Sequence, residues 1–384
     1  MKRREFVVGG CACCAALFAA GLHAQQEWQA PARFTRPNIG SDEGGLWAIM
    51  DREEKRLRSS PFLIRDRALH DYVQDIACRL AGDHCEDVRV YLVRTPLFNA
   101  NMAPNGMMQV WTGLMLRMEN EAQLAAVLGH EIGHYLERHT LERLRDVKSA
   151  SAFAQFIGLF GVIGLVGQLA VLAGMFSYSR DQERAADGIG ATLMRKAGYD
   201  PAEASKVWGN LLAEIKARTD HDNELASVMF ATHPGVEERV ETLATLARES
   251  PGGVTKAGIW QEKIRPFRRD WLIQEIKRGQ REESIALLTR MIPSSPGQED
   301  LLAARGEVYR LRAKDNDLDL AIADFQAAAA LGNEPPEVHR GLAMIYRQRG
   351  QSVEARASFQ RYLEIAPGAP DAPMIKNYVE ELGQ

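Results

Sequence analysis

The sequence predicts a mainly α-helical chain in two parts, with one small β-sheet in the first part and a helical repeat in the second. Three observations carry this reading. Most of the 384 residues fall into segments with helical apolar spacing, separated by short breaks containing Gly, Pro or Asn. Only two short runs, Val88–Val93 and Met107–Trp111, read as strands. Beyond Ser250-Pro251-Gly252-Gly253 the pattern changes to one that recurs every 34 residues. The chain is too long for one small core, and 46% hydrophobic with 26% charged residues excludes both a disordered chain and a polytopic membrane protein. A formal net charge of −4 argues against a nucleic-acid binder held by a basic surface.

Residues 1–24 are expected to be a removable export signal. Lys2, Arg3 and Arg4 precede an apolar stretch from Phe6 to Leu22, and Ala24 supplies a small residue before a cut. Arg3-Arg4-Glu5-Phe6 also resembles the twin-arginine signal, which implies export after folding or metal loading. Removing this segment takes away Cys11, Cys13 and Cys14 and leaves a charge of about −6. Cys78 and Cys85, the two that remain, are expected to form one disulfide. A metal site is the weaker reading of this pair, because only His84 stands near it.

In chain order, residues 41–59 and 66–81 have helical spacing, and the second stops at Ala81-Gly82-Asp83. After the first strand, Asn99 to Asn105 has the composition of a turn. The second strand follows, and its edge near Met107–Trp111 is expected to pair with an extended polypeptide. A helix from Asn120 or Glu121 is expected to run to about Arg145. Asp181 to Ala197, 202–218 and 235–249 are again helical. The expected domains are residues 25–250, a linker over 251–263, and a repeat domain over 264–384.

In that last part Ala321 and Phe325 recur as Ala355 and Phe359, and Pro367 follows. With Tyr346 and Gly350 these stand where a tetratricopeptide helix pair places them, and Ser284, Leu288 and Pro296 look like a weaker copy. The insertion around Lys314-Asp315-Asn316 departs from the strict period. Such pairs bury their apolar faces only against neighbours, so a short solenoid is expected.

His130-Glu131-Ile132-Gly133-His134 lies inside the long helix. A spacing of four puts both imidazoles on one face, where their ring nitrogens can bind one Zn²⁺ per chain, and Glu131 projects beside them as a base. The flanking Leu124, Val127, Leu128 and Ile132 imply a buried helix, in which two unpaired His and a Glu would be costly without a metal. Glu183 and Asp187, four apart on a later helix, supply a carboxylate pair. Glu183 is the candidate third ligand, and Asp187 stands one turn along to orient a ligand imidazole. His139, five residues past His134, falls 500° around a continuous helix and reads as structural.

Together HEIGHYLERH, SRDQERAADGIG, Thr232-His233-Pro234 and Glu238-Arg239-Val240 resemble the HtpX-type and CAAX-prenyl-protease-type zinc metallopeptidases. The resemblance implies a gluzincin-type metallopeptidase domain with a small β-sheet, followed by the α-helical tetratricopeptide-like solenoid. It implies His130, His134 and Glu183 as zinc ligands, Glu131 as general base, and Asp187 as an orienting residue or proton donor. His233 is expected on a loop near the metal, either assisting the transition state or capping the zinc. The implied setting is the periplasm, with protein substrates that include outer-membrane β-barrel proteins or their assembly machinery. The rival class is a chaperone-like adaptor acting through the tail with a latent zinc site; an intact Glu131 argues against it.

Residues 149–179 contain no charged side chain, long enough for one membrane span of about 20 residues. A single crossing would separate His134 from Glu183, which must share one ion, and two crossings need roughly 40 apolar residues. The expectation is a helical hairpin or long helix folded back beside the active site, with part of it in peripheral contact with a membrane.

Overall fold

The computed structural model describes residues 28–146, 178–218, 229, 232–295 and 297–383. The expected signal and all but the last two residues of the uncharged stretch 149–179 lie outside them. Met1–Ala32 and Arg33–Gln384 are separate units, and the second holds every element named below. The fold is mainly α-helical with one small sheet.

Helices α1 (Asp42–Ser59) and α2 (Arg67–Ala81) lead through a 3₁₀ turn (Gly82–Asp87) into strand β1 (Arg89–Val93). Ser41 and Asp66 cap the two helices by accepting the Gly44 and Leu69 N–H groups. Cys78 and Cys85 lie on either side of the chain reversal, with sulfurs 2.02 Å apart. Strands β2 (Ala100–Met102) and β3 (Met107–Trp111) complete a sheet of order β1-β3-β2. β3 runs parallel to β1, with Arg89 opposite Met107, and antiparallel to β2, with Ala100 opposite Val110.

This arrangement corrects two expectations. Residues 100–102, read as part of a turn, form a strand, and the turn is confined to the residues after it. There Gly106 has φ 86°, and a Cβ on it would stand 2.0 Å from the Asp87 carbonyl. Met107–Trp111 is the central strand with both edges taken, so it cannot accept an extended polypeptide. The strand beside the next helix is β2 instead.

After the short α3 (Thr112–Arg117) comes α4 (Glu121–Leu136), whose sixteen residues are all buried. It packs against α2, β2, α6 (Arg180–Lys196) and α7 (Ala202–Lys216). The expected single helix to Arg145 is broken here. Arg138 adopts φ 58°, and a separate α5 (His139–Asp146) sets off in a new direction. Helix α8 (Val236–Glu249) then packs on α6 and α7.

The tail consists of α9 (Ala257–Lys277), α10 (Arg281–Met291), α11 (Glu299–Arg312), α12 (Asp317–Ala330), α13 (Glu337–Gln348), α14 (Ser352–Ile365) and α15 (Ala372–Glu381). Residues 257–263, expected as linker, are the first turns of α9. The apolar Trp260 and Ile264 are fully buried, and the Trp260 indole N–H donates to the Met118 carbonyl at 2.7 Å. Further on, Phe325 packs with Leu302, Ala321, Val338 and Ile345, and Phe359 with Ala343, Tyr362 and Ile375.

Charge as well as apolar packing joins the tail to the first part. Buried Arg117 donates to Glu214 of α7 (2.7 Å) and to Glu275 of α9 (2.9 Å), and pairs with Glu283 of α10 (3.2 Å). Burial alone would raise the Glu275 carboxyl, but Arg117 and Arg278 outweigh it and hold the group down to about 2. Glu121, buried but bonded to Lys256, Tyr199, Tyr72 and Arg79, is likewise held at about 2. The unfolded chain takes up these protons near pH 4.5, so this stabilisation is complete above that value and is lost as the pH falls toward 2. Each such carboxyl contributes about 1.4 kcal/mol per pH unit inside the window. The urea midpoint is therefore expected to drop steeply from pH 4.5 downward, less so in Glu275→Gln; a midpoint unchanged down to pH 3 would contradict the assignment.

Candidate active site

The site is built where α4 and α6 cross. Asn120 caps α4 by accepting the Gln123 N–H, and Ser179 with Gln182 forms a capping box on α6. The helices approach so closely that a Cβ on Gly133 would lie 3.0 Å from the Ala186 carbonyl, and one on Gly190 would lie 3.0 Å from the His130 nitrogen. Glycine at these crossing points lets α6 bring Glu183 and Asp187 up to His130 and His134. His233 enters from the turn before α8, where its N–H donates to the Met229 carbonyl at 2.7 Å.

His130, His134, Glu183 and His233 are all buried, and each offers one ligand atom within 4.8 Å of the others. His130 Nε2 lies 3.1 Å from both His134 Nε2 and His233 Nδ1. Glu183 Oε1 lies 2.9 Å from His233 Nδ1 and 3.4 Å from His134 Nε2. One ring proton can serve only one of these nitrogen contacts, whereas a cation at the centre serves all of them. The separations also bracket the edge of about 3.3 Å that a tetrahedron of ~2.0 Å bonds requires. The donor set fits a metal ion.

The outer partners differ between the two helix imidazoles. His130 Nδ1 lies 2.8 Å from Asp187 Oδ1, which directs Nε2 toward the cluster. Asp187 in turn receives Arg239 through Nε (2.8 Å) and Nη2 (2.6 Å), while Arg239 Nη1 pairs with Glu183 Oε2 at 2.9 Å. The guanidinium is buried and stacks 3.9 Å over the Trp208 ring. Burial and the Arg239 charge together lower His130 to about 4, and burial lowers His134 well below its ordinary value, so both are neutral donors at pH 7. For Glu183 burial acts in the opposite sense, but His233 and His134 outweigh it and hold the carboxyl well below the ordinary range. Arg239 and His130 do the same for Asp187.

Glu131 points to the sheet side. It accepts a backbone hydrogen bond from Met102 of β2, and its Oε1 is buried, with no hydrogen-bond partner among the described residues, 3.7 Å from His233 Nε2. Burial pushes its carboxyl up to about 7; a dication in the cluster favours the ionised form and would lower that value.

The structure thus brings together all six residues singled out from the sequence: His130, Glu131, His134, Glu183, Asp187 and His233. Two others are not placed at the site by the sequence: Arg239, which it leaves without a role, and His139, which it reads as structural. Arg239 sits within a segment quoted for the family resemblance, and its position six residues after His233 on a helix start was the available signal. His139 was set aside on the assumption of a continuous helix. Because the helix breaks at Arg138, His139 Nδ1 turns back to 2.9 Å from His134 Nδ1.

Residues 63–247, which hold every residue of the site, match the model of peptidase family M48. Among the relatives, the beta-barrel assembly-enhancing protease of Escherichia coli K12 is 25% identical over 380 residues, covering 85% of this chain and 76% of that protein. The mitochondrial metalloendopeptidase OMA1 of Arabidopsis thaliana is 30% identical over 173 residues, 44% of this chain and 34% of that protein. A Vibrio cholerae relative, 27% identical, is matched over 56% of this chain and 48% of its own length. The chain therefore spans about half of the Vibrio protein and a third of the plant one.

Proposed function

We propose that the chain is a zinc-dependent endopeptidase of the bacterial periplasm, exported by its first 24 residues, that acts in quality control or assembly of outer-membrane proteins. The observation that carries the catalytic part is the Glu131 carboxylate oxygen, buried and without a hydrogen-bond partner among the described residues, beside a buried set of three imidazoles and one carboxylate. The periplasmic setting is supported by the basic and apolar signal sequence, and the outer-membrane role by the names of the bacterial relatives. The repeat pattern supports a tetratricopeptide-like tail that binds a protein partner or presents substrates. Residues 149–179 would supply the contact with a membrane surface.

His130, His134 and Glu183 would hold the zinc, which when bound supplies a Lewis acid for the scissile carbonyl and the attacking water. Glu131 takes the water proton at Oε1 and returns it to the leaving amine. Asp187, braced by Arg239, keeps the His130 ring in one orientation. An extended substrate would pair with β2. Asn99 and Ala103 bond toward β3, so by strand alternation Ala100 and Met102 turn their backbone groups to the outer edge, where Met102 already meets Glu131.

His233 occupies the fourth donor position, the one that catalytic zinc sites keep open. Ala100 and Met102 are also buried. Both features mark a closed arrangement, so we read His233 as a cap that must withdraw before substrate enters. A closed form favoured by about 1.4 kcal/mol would hide roughly nine-tenths of the molecules, so His233→Ala is expected to raise casein turnover about tenfold. A fall in turnover would instead make His233 a transition-state residue. The proposal as a whole is tested by stripping the purified chain with a chelator and restoring zinc. Digestion of casein should vanish and return, and zinc-loaded wild-type and His233→Ala chains that both cut nothing would sink the endopeptidase reading.

A further inference from the structure

We propose that Tyr178 is a positioning residue of the metal centre: its ring fixes the plane of His134, and its main chain ties down the turn that carries His233. The inference rests on reading the four-residue cluster as a metal centre and does not depend on peptide cleavage.

Tyr178 stands immediately before Ser179, the N-cap of α6, and is buried. Its ring lies flat on the His134 imidazole, with centroids 3.8 Å apart and planes at 18°. The Arg143 guanidinium lies over the same ring at 4.4 Å. Two groups at these separations cannot share one face, so the tyrosine is held between the arginine and the histidine. Its phenol oxygen, 3.1 Å from Thr140 Oγ1, fixes the rotation of the ring. The Tyr178 N–H donates to the Thr232 carbonyl at 2.8 Å, one residue before His233, whose ring centroid is 5.1 Å away.

The two helix imidazoles are therefore held by different means. His130 leans on a carboxylate that Arg239 grips with two hydrogen bonds. Among the described residues, His134 has another imidazole, His139, at its outer nitrogen and no carboxylate there. A ring can turn about its own side-chain bonds, so that contact fixes direction weakly, and the flat stack of Tyr178 supplies the missing restraint.

The test uses the full chain loaded with zinc, with release to excess EDTA followed by a zinc indicator, and a parallel sample loaded with Co²⁺. Tyr178→Ala is expected to release zinc at least about tenfold faster than wild type and to shift the visible Co²⁺ bands. Tyr178→Phe, which keeps the flat ring and loses only the hydroxyl, should stay within about threefold of wild type. Tyr178→Leu fills the space without a ring to stack; it should behave as Ala does, and serves if the Ala chain fails to fold. Wild-type release and an unshifted Co²⁺ spectrum in the Leu chain would overturn the inference, as would equal acceleration in Phe and Leu. If the release rates follow expectation while the loaded wild type cuts no protein, the endopeptidase proposal fails and Tyr178 keeps its role.

Discussion

Glu131→Gln is expected to lower casein turnover by at least about 10²-fold while leaving one zinc per chain. The amide matches the carboxylate in shape and can still accept from the Met102 N–H, so the fold and the donor set remain. What it loses is the ability to take a proton at Oε1, a buried oxygen that has no hydrogen-bond partner among the described residues. Turnover and metal content measured on the same preparation separate this from a loss of metal. The substitution also decides between enzyme and adaptor. If a strain carrying Glu131→Gln handles its outer-membrane proteins as the wild type does, the chain works through its tail alone.

Arg239→Leu carries the largest expected effect on stability, a loss of about 3–5 kcal/mol. The guanidinium is the shared counter-ion of two buried carboxylates, Asp187 and Glu183, and it also covers the Trp208 ring. Leucine fills part of the space and removes the guanidinium from both carboxylates. Arg239→Lys should recover little, because a single ammonium cannot reproduce the two parallel hydrogen bonds to Asp187. Chemical unfolding of the metal-free proteins measures this directly. A Leu variant as stable as wild type would mean that the carboxylates are neutralised in another way.

The two sides of the site were legible in the sequence to different degrees. Glu131 and the two helix His could be placed from their spacing alone, because one turn of α4 fixes their relation before any tertiary contact forms. Glu183 and Asp187 could be paired with them since a metal needs a third donor and a helix puts residues four apart on one face. The brace around these residues was less visible. His139 depended on a break at Arg138, a residue type with no preference for positive φ, and nothing local announces such a break. The three residues of β2, Ala-Asn-Met, have little strand character; neighbouring β3 and α4 make the strand, and that moves the proposed substrate edge from β3 to β2. In the tail, the glycine-rich stretch before Val254 looked like the edge of a linker, yet Trp260 and Ile264 pull the following helix onto the catalytic side.

On the proposed reading, His130, His134, Glu183 and His233 together enclose one catalytic zinc ion. Anomalous diffraction at the zinc edge, on crystals of protein purified without added metal, tests it most directly. A single strong peak among those four donor atoms is the predicted result. A zinc peak elsewhere in the chain, or an empty cluster in protein that digests casein, would contradict it.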